Sequence, residues 1–489
     1  MEKELPKGWT EVTIKEISFD LFAGGDVPKT NFSKDKTAQY QIPIYGNGIK
    51  DDGLFGYTNI KKVSYPCITI SARGTIGYPV LRNVNFYPIV RLIVLHPFNL
   101  VELAYIKYVL TSIDFKNSGT SIPQLTVPMV EKITIPLPPR PAQQRIVAKL
   151  DTLFGHLDAL KTRLDRIPQL LKDFRQKVLT QAVTGKLTEE WREGKEYNAN
   201  TLVDKIRESH FLAGGHKRGN AANHDIEKHS NSFEEIPKSW CKAELREICH
   251  PEKPVTYGIL MPGKEIKNGR PFLKVMAYPD DKIDFEKVCH TSIEIEENFK
   301  RARLATGDIV LSIRGTVGRV IIIPSSLNGA NITQDSARIS LQDGISNIYV
   351  ASVLRSQIIQ EIMASVTKGV AIRGINIGDV RFLIIPIPPI EEQHEIVRRV
   401  GTLFAKADQI EASYQQLKVK LEQLPQALLA KAFRGELVEQ LPTDGDAREL
   451  LEEIRKAKAV LEKGGKGKKM KVEDELRMVA EDGVRYGKK

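Results

Sequence analysis

Two segments of the chain repeat apolar residues at alternating steps of three and four, the a/d pattern of helices that pair in a coiled coil. The first runs from Leu150 to Val178 and the second from Val400 to Leu428. A single amphipathic helix on a globular core would need an apolar stripe wider than two positions in seven. The pattern therefore predicts two long paired helices, and the obvious partner of each is the other. The helix-pairing positions are Leu150, Leu157, Leu164, Leu171, Val400, Ile410, Leu417 and Leu424.

Proline and glycine mark the ends of both predicted helices. A cluster of prolines precedes each apolar pattern, and proline suits the first turn of a helix because its missing amide would be unpaired there. Gly185 and Gly435 follow the patterns and suit left-handed C-terminal caps. Pro168 and Pro425 fall inside the patterns, so we expect a kink or a break at each.

The stretches before the two helices, residues 1–134 and 233–384, follow another pattern. Short runs of β-branched and aromatic residues, such as 67–71 and 309–313, alternate with Gly, Asn and Pro. This is typical of short strands joined by turns, with some helix. Each stretch is long enough for one domain of mixed α/β structure.

The chain is a tandem repeat of one unit. LPKGW at 5–9 recurs as IPKSW at 236–240, and SARGTIG at 71–77 recurs as SIRGTVG at 312–318. The offset between the copies grows from 231 to 250 residues and then holds through Gly185 and Gly435, so the helices keep their length while the domains vary. The predicted fold class is α+β, with two mixed α/β domains joined by two long coiled-coil helices in a pseudo-twofold tandem repeat.

The repeat divides the chain into six parts. These are a first variable domain (1–140), a first helical spacer (141–187), a linker (188–232), a second variable domain (233–390), a second helical spacer (391–437) and a C-terminal helical segment with a basic tail (438–489). Within the linker, a short helical stretch at 202–207 precedes a polar run that we expect to be flexible.

Composition places the chain among multidomain globular proteins. Its 489 residues are 41% hydrophobic, its longest apolar runs are strand-sized, and we expect no membrane span. The four cysteines include no CxxC pair, which argues against a disulfide framework or a zinc ribbon and fits a reducing cytoplasm. The net charge of +11 favours a polyanion partner, but residues 1–134 and 233–384 carry only +3 and +2, so charge alone does not decide the function.

The sequence contains no motif of a catalytic or metal site. It lacks a glycine motif for S-adenosylmethionine followed by NPPY, a GxxxxGK[ST] phosphate loop, HExxH and GxSxG. A surface turn explains the aspartates at 280–281 better than a nuclease cluster, and a solvated tract explains the histidines between 210 and 229 better than metal ligands. We therefore expect no catalytic residue, metal or cofactor in this chain.

The RGT[IV]G motif is the most specific local pattern. Its glycines permit a tight turn after a strand, and Arg73 and Arg314 can reach a phosphate or read a guanine edge. Because the motif hardly changes between two domains that otherwise diverge, we favour a framework role or a phosphate contact over base reading, which belongs where the copies differ. An exposed lysine often serves only to keep a protein soluble, which is the alternative role for the lysines among the candidates. The candidate DNA-binding residues are Arg73, Thr75, Lys50, Lys61, Lys62, Arg314, Thr316, Lys264, Lys267 and Arg270.

Two longer segments carry a family signature. They are IPLPPRPAQQRIVAKLDTLF at 135–154 and IPIPPIEEQHEIVRRVGTLF at 385–404, and the openings LPKGW and IPKSW accompany them. In these residues, and in a tandem arrangement that covers nearly the whole chain, the sequence resembles the specificity subunits of type I restriction-modification systems.

The resemblance implies a non-catalytic DNA-binding subunit. In that family two target recognition domains each bind half of a split DNA sequence, and two helices pair antiparallel, set the gap and dock two DNA methyltransferase subunits. Restriction or translocase subunits are further implied partners, and S-adenosylmethionine, ATP and Mg²⁺ would be used by the partners. The implied partner-binding residues are Gln143, Gln144, Glu391, Glu392 and Gln393, although the first copy has Pro-Ala-Gln at 141–143 where the family pattern has Glu-Glu-Gln.

Two other functions stay open from the sequence. One is an enzyme that modifies or cleaves DNA by itself, which activity of the purified chain on DNA without partners would reveal. The other is a coiled-coil scaffold that never touches DNA, which a test of salt-dependent DNA binding would separate from the first two.

Overall fold

Two compact units make up the chain, and the computed structural model describes residues 5–115, 124–212, 233, 235–368 and 373–463. Unit 1 comprises Met1–Leu164 together with Gln416–Lys489, and unit 2 comprises Asp165–Gln415. Each unit therefore contains one variable domain and a part of each long helix. The polar run of the predicted linker and the basic tail lie outside the described residues.

The variable domain of unit 1 is built on two sheets. Its strands are β1 (Thr10–Thr13), β2 (Ser18–Ala23), β3 (Ile42–Tyr45), β4 (Leu54–Thr58), β5 (Cys67–Ile70), β6 (Pro79–Arg82), β7 (Tyr87–Pro88), β8 (Ile93–Pro97) and β9 (Thr134–Leu137). Its helices are α1 (Ile14–Ile17), α2 (Leu103–Ser112) and α3 (Val127–Glu131), and the long helix α4 (Arg140–Leu164) follows the domain. The sheets have the orders β2-β8-β5-β6 and β4-β3-β7, and β1 pairs with β9.

Unit 2 repeats this topology. Its helices are α5 (Ile167–Val183), α6 (Glu189–Arg192), α7 (Asn200–Leu212), α8 (Leu245–Ile248), α9 (Ile293–Glu297), α10 (Asn347–Arg355), α11 (Gln357–Val366), α12 (Ile377–Arg381) and the first part of α13 (Ile390–Phe433). Its strands are β10 (Cys241–Glu244), β11 (Thr256–Tyr257), β12 (Arg270–Leu273), β13 (Cys289–Thr291), β14 (Ile309–Ser312), β15 (Val320–Ile322), β16 (Asn331–Ile332), β17 (Ser336–Ile339) and β18 (Ile384–Ile387). The sheet orders are β11-β17-β14-β15 and β13-β12-β16, and β10 pairs with β18.

Strand directions repeat as well as strand order. β3 pairs antiparallel with β4 and parallel with β7, and β12 pairs in the same two ways with β13 and β16. The predicted α+β class, with two mixed domains in tandem and long helices, is confirmed.

The long helices respond differently to their internal prolines. The expected break is present at Pro168, because α4 ends at Leu164 and α5 begins at Ile167 with the proline in its first turn. By contrast, α13 continues through Pro425 to Phe433 without a break. Leu429 and Ala432, beyond that proline, are buried in the core of unit 1, and this packing holds the last turns in place.

Helix segments run antiparallel inside each unit. In unit 2, Arg175 of α5 bonds to Asp408 and Glu411 of α13, whereas Arg192, farther along the chain, meets Glu392 near the start of α13. In unit 1, Arg145 near the start of α4 bonds to Asp444, and Leu150 shares a core with Leu429. Rising numbers on one segment therefore meet falling numbers on the other.

Left-handed glycines end the helices, as the sequence predicts. Gly185 follows α5 with φ of 77°, and Gly435 follows α13 with φ of 72°. A Cβ on Gly185 would lie 2.4 Å from Cγ of Pro237, and a Cβ on Gly435 would lie 2.2 Å from Cγ of Pro6. The prolines of the LPKGW and IPKSW openings thus pack on the ends of the helices.

A second helix follows each of these caps and returns to the variable domain. α7 contains the predicted helical stretch at 202–207 and donates from Arg207 to Glu247, with an N–O distance of 3.3 Å. Its counterpart is α14 (Ala447–Lys463), in which Arg455 pairs with Glu16 at 3.2 Å. The predicted linker is therefore folded over its described part, and the C-terminal helical segment closes unit 1 as α7 closes unit 2.

Candidate nucleic-acid interface

The RGT[IV]G motif forms the same hairpin loop in both units. It joins β5 to β6 in unit 1 and β14 to β15 in unit 2. The amide of Gly77 donates to the carbonyl of Ser71 at 2.8 Å, and that of Gly318 donates to the carbonyl of Ser312 at 3.0 Å. The predicted tight turn after a strand is confirmed in both copies.

The last glycine of each motif is required by both conformation and space. Gly77 has φ of 83° and Gly318 has φ of 95°, in the region that side chains disfavour. A Cβ on Gly77 would lie 2.0 Å from the ring of Phe115, and a Cβ on Gly318 would lie 2.2 Å from the amide of Gln360. These glycines serve the fold, whereas the arginine of each motif is exposed.

A neighbouring amide oxygen holds each motif arginine. Arg73 donates through Nε and Nη2 to Oε1 of Gln124, at 3.0 and 2.7 Å. Arg314 donates through Nη1 to Oε1 of Gln334 at 3.2 Å. A guanidinium has five N–H donors, so each arginine keeps donors for a ligand while its position is fixed. Such a group suits a phosphate oxygen.

A cleft of ≈ 630 Å³ opens beside Arg73 in unit 1. Three segments form it: the loop after β3, the RGT loop and the turn between β7 and β8. Asn47 ties them together, because its Oδ1 accepts from the amide of Ala72 at 2.7 Å and its Nδ2 donates to the carbonyl of Val90 at 2.8 Å. The apolar lining includes the exposed side chains of Ile49, Leu54 and Phe55.

Arg82 supports the loop after β3, one of the three segments that form this cleft. It is 5% exposed, donates through Nε to Oγ1 of Thr69 at 3.0 Å, and hydrogen-bonds to the carbonyl of Asp52. Its guanidinium lies 3.6 Å from the ring centroid of Tyr45. Burial lowers the pKa of Arg82, and Tyr45 and Asp52 act in the opposite direction. Asp52 also accepts from the hydroxyl of Tyr78 at 3.1 Å, so two hydrogen bonds hold the loop after β3 at this residue.

Unit 2 has two clefts that meet at Arg314. The larger, ≈ 740 Å³, includes Tyr257 and Asn376, and the other, ≈ 670 Å³, includes Lys274 and Met276. The residues that line both clefts are Leu260, Arg314, Gln334 and Asp335. Met276 is 60% exposed and Leu260 is 47% exposed, so apolar side chains surround the arginine here as in unit 1.

The structure brings some of the predicted DNA-binding residues together. Lys50 lines the cleft of unit 1 with Arg73, and Thr316 lines the second cleft of unit 2 with Arg314. Thr75 is half-buried within the RGT loop.

The other predicted residues lie outside these clefts. Lys61, Lys264 and Lys267 are exposed, and the ammonium of Lys62 lies 5.8 Å from the ring centroids of two aromatic side chains. Arg270 is exposed but pairs with Glu296 at 3.8 Å.

Sequence reasoning missed the uncharged and acidic residues of the clefts. Asn47, Gln334 and Asp335 line the clefts and belong to no periodic pattern or motif, because amides and single carboxylates occur on any polar surface. The same holds for Gln124, which positions Arg73. For Gln334 and Asp335 the repeat gave a signal, since a turn follows the RGT motif at the same place in both copies.

Gln143 and Gln393, predicted to bind partners, are wholly buried and hold the fold together. Nε2 of Gln143 donates to the carbonyl of Pro138 at 2.8 Å, and its Oε1 accepts from the amide of Glu102 at 2.9 Å. Gln393 repeats this arrangement with Pro388 at 3.0 Å and Ser346 at 2.8 Å. Neither side chain is accessible to a partner in the folded chain, because each ties the start of a long helix to the variable domain.

Glu392 is buried as well. It is 1% exposed and accepts from Nε1 of Trp240 at 2.9 Å, from Oγ1 of Thr188 at 2.6 Å and from Nη1 of Arg192 at 2.5 Å. The second glutamate of the Glu-Glu-Gln pattern is therefore the anchor of the tryptophan that opens the variable domain.

In unit 1 another residue accepts the hydrogen bond of the equivalent tryptophan. Ala142 takes the place of Glu392, and Nε1 of Trp9 donates to Oε1 of Gln440 at 2.7 Å. The departure of the first copy from the family pattern is thus compensated by a residue that follows α13.

Two predicted partner residues, Gln144 and Glu391, are exposed.

The predicted helix-pairing residues differ in their exposure to solvent. Leu150, Leu171 and Val400 are buried and Leu157 and Leu164 are half-buried, whereas Ile410, Leu417 and Leu424 are 52%, 50% and 41% exposed. The described helices therefore leave apolar side chains on their surface.

Candidate chemistry outside the clefts has structural explanations. Asp281, in the weak carboxylate pair, accepts from the amide of Val320 at 2.7 Å and pairs with Arg355 at 3.3 Å. Burial raises the pKa of the Cys67 and Cys249 thiols to about 12. Across the described ranges, no three His, Cys, Asp or Glu side chains are grouped to hold a metal ion, and none of the helices there has the length and apolarity to cross a membrane.

Comparison with known proteins places both halves of the chain in one family. Residues 6–169 and 237–420 match the model of the type I restriction modification DNA specificity domain. The chain is 34% identical over 366 residues to the type I restriction enzyme EcoBI specificity subunit of Escherichia coli, which covers 73% of this chain and 71% of that protein. It is 29% identical over 511 residues to the EcoKI specificity subunit of Escherichia coli (strain K12), with 95% and 98% covered.

A solved structure shares the fold. The crystal structure of the HsdS subunit from Thermoanaerobacter tengcongensis aligns with a TM-score of 0.51 at 17% identity, over 89% of this chain and 99% of that one. Because the family model matches more than half of the chain, the chain belongs to the specificity subunits of type I restriction-modification systems.

Proposed function

We propose that this specificity subunit reads a two-part DNA sequence with the clefts of its two units and positions partner enzymes on that DNA. Members of the family recognise DNA sequence-specifically. The observation that carries the proposal is the repeated site: in each unit an exposed arginine, held by an amide oxygen, stands in a cleft at the same place in the topology.

Two different clefts suit an asymmetric target. Residues 1–140 and 233–390 are the recognition domains in this proposal, and Arg73 and Arg314 contact phosphates that both half-sites share. Side chains that differ between the clefts distinguish the bases. Lys50 and Thr316 add contacts beside the arginines, and Lys61, Lys62, Lys264, Lys267 and Arg270 add longer-range attraction to DNA.

The long helices, residues 141–187 and 391–437, are the proposed docking sites for two DNA methyltransferase subunits. Leu170, Ile410 and Leu417 are 62%, 52% and 50% exposed, which is the kind of apolar surface that a partner covers. Gln144 and Glu391 are the accessible polar residues near the starts of these helices. Restriction or translocase subunits join the same complex.

Chemistry belongs to the partners in this proposal. The chain itself is non-catalytic, the methyltransferase subunits use S-adenosylmethionine, and the restriction subunits use ATP and Mg²⁺. Since the target is genomic DNA, the complex works in the cytoplasm.

Arginine truncation tests the phosphate contact. In the assembled methyltransferase complex, Arg73→Ala and Arg314→Ala should each weaken binding to all DNA sequences and reduce the slope of log K against log salt by about 1, with the methylated sequence unchanged. The measurement is DNA affinity at several salt concentrations, with Arg448→Ala, an exposed arginine paired with Asp446, as the control. Unchanged affinity and slope in both cleft variants would contradict the proposal.

A further inference from the structure

One turn has the same place in the topology and the same backbone hydrogen bonds in both units. In unit 1 it connects β7 to β8, and the amide of Leu92 donates to the carbonyl of Ile89 at 3.0 Å. In unit 2 it connects β16 to β17, and the amide of Ser336 donates to the carbonyl of Thr333 at 3.1 Å. The two residues inside the turn are Val90 and Arg91 in one unit and Gln334 and Asp335 in the other.

A second hydrogen bond shows that the turns are equivalent. The amide of Val90 donates to the carbonyl of Gly25 at 2.8 Å, and the amide of Gln334 donates to the carbonyl of Ile259 at 2.9 Å. The segments after β2 and β11 therefore support the turn in the same way. The two hydrogen bonds are shared, whereas the two inner residues differ in side chain and in backbone conformation.

Both turns face the clefts of the motif arginines. Val90 lines the cleft of unit 1 beside Arg73. Gln334 and Asp335 line both clefts of unit 2, and Gln334 accepts directly from Arg314. A ligand on the motif arginine therefore lies next to the turn.

The turn of unit 1 is held in an unfavourable conformation. Val90 has φ of 50° and Arg91 has φ of 59°, whereas neither Gln334 nor Asp335 is left-handed. A β-branched residue with positive φ is a true outlier, and such strain persists only where surrounding bonds impose it. The carbonyl of Gly24 accepts from the amide of Arg91 at 3.1 Å, and Asn47 donates to the carbonyl of Val90 at 2.8 Å. The exposed side chain of Val90, at 45%, contributes no core packing in return.

The chemistry of the two turns is opposite. Arg91 is exposed, and among the described residues it makes no side-chain hydrogen bond or ion pair, so its guanidinium is free to donate. Asp335 is half-buried at the meeting of two clefts, and an ionised carboxylate can only accept. The two units share the motif arginine. At the second inner position of the turn, however, unit 1 has a hydrogen-bond donor, Arg91, and unit 2 has an acceptor, Asp335.

We propose that this turn reads bases in each recognition domain: Arg91 contacts a guanine edge, Val90 contacts the methyl group of a neighbouring thymine, and Asp335 accepts from the amino group of a cytosine. These pairings follow the donor, acceptor and methyl pattern of the major groove. The inference rests on the proposed DNA-binding role of the clefts and deepens it, because it separates the residues that select a base from those that hold the backbone.

The test exchanges the polarity of the turn in unit 1. Arg91→Asp in the assembled methyltransferase complex should reduce discrimination at one base pair of one half-site by about 10- to 100-fold and leave the other half-site unchanged. Methylation of a library of double-stranded DNA targets measures this directly. Lys132→Ala, which removes an exposed lysine that does not line the cleft, should leave the pattern intact.

A second variant guards against an effect through folding. Val90→Gly removes the conformational strain, so its melting temperature should equal or exceed that of the wild type. It should nevertheless relax preference at the position next to that of Arg91. A Val90→Gly protein that keeps the full sequence preference, or an Arg91→Asp protein that loses affinity equally for every target, overturns the inference. A wild-type complex without sequence preference would instead overturn the proposed function.

Discussion

Single polar residues near the ends of α13 anchor the two variable domains. Glu392 accepts from Trp240 in unit 2, and Gln440 accepts from Trp9 in unit 1. Both tryptophans are 5% exposed, so each indole N–H needs an internal acceptor. Glu392, which the sequence suggests as a partner-binding residue, therefore makes a buried polar contact within the fold.

The two anchors should differ in strength. Glu392→Ala leaves the indole of Trp240 without its acceptor and Arg192 without its carboxylate partner, and we expect a loss of about 3 kcal/mol in the free energy of unfolding. Gln440→Ala removes the acceptor of a neutral indole and a donor to the carbonyls of Gly435 and Val438, with no charged group involved, and should cost about 1–2 kcal/mol. Denaturant unfolding of the purified chain measures both, and the exposed neighbour variant Glu391→Ala serves as the control. Equal losses for Glu392→Ala and Glu391→Ala would contradict this assignment.

Among the elements, the long helices depend on how they end. Their caps combine a left-handed glycine with a proline from the opening of the variable domain, so a helix end and a domain start are one packed feature. At their other ends, the two helical regions begin with the buried glutamines Gln143 and Gln393. Both ends of the helical regions are thus tied to the domains that they serve.

Glycine replacements separate caps from helix interiors. Gly185→Ala and Gly435→Ala should each lower stability by about 1–2 kcal/mol or more, because a left-handed alanine is strained and its Cβ meets a proline ring. Gly155→Ala and Gly401→Ala, at exposed interior positions of α4 and α13 with open space, should raise it by up to about 1 kcal/mol. Thermal unfolding of the four variants provides the comparison. If all four shifted the melting temperature in the same direction, the cap assignment would fail.

At the scale of the whole molecule, distant segments of the chain complete unit 1. The C-terminal helix α14 pairs through Arg455 with Glu16, and α7 makes the equivalent contact through Arg207 with Glu247 in unit 2. The variable domain of unit 1 therefore packs against a helix that comes much later in the chain, and that of unit 2 against a helix that comes before it. Each unit holds one variable domain and its own closing helix, which fits the proposal that the two domains read separate half-sites.

Domain exchange tests this independence. Replacing residues 1–134 with the matching domain of another specificity subunit should change one half of the methylated sequence and keep the other half. Genome-wide mapping of methylated sites in cells that carry the hybrid complex measures both halves at once. Replacement of residues 233–384 is the reciprocal control, and a hybrid that methylates the original full sequence would refute the proposed division.

Local patterns in the chain were sufficient to predict the repeat, the strand-rich domains, the long helices, their glycine caps and the RGT turn. Each of these depends on residues close together in sequence, where periodicity and backbone preference act directly. They were not sufficient to show that Gln143, Gln393 and Glu392 are buried, that Gln440 serves Trp9, or that α13 passes through Pro425 unbroken. Those outcomes depend on contacts between residues far apart in the chain, and no periodicity marks the partner of a buried polar group. The clefts also depend on contacts between distant residues, because loops from separate parts of each domain meet only after the sheets have paired.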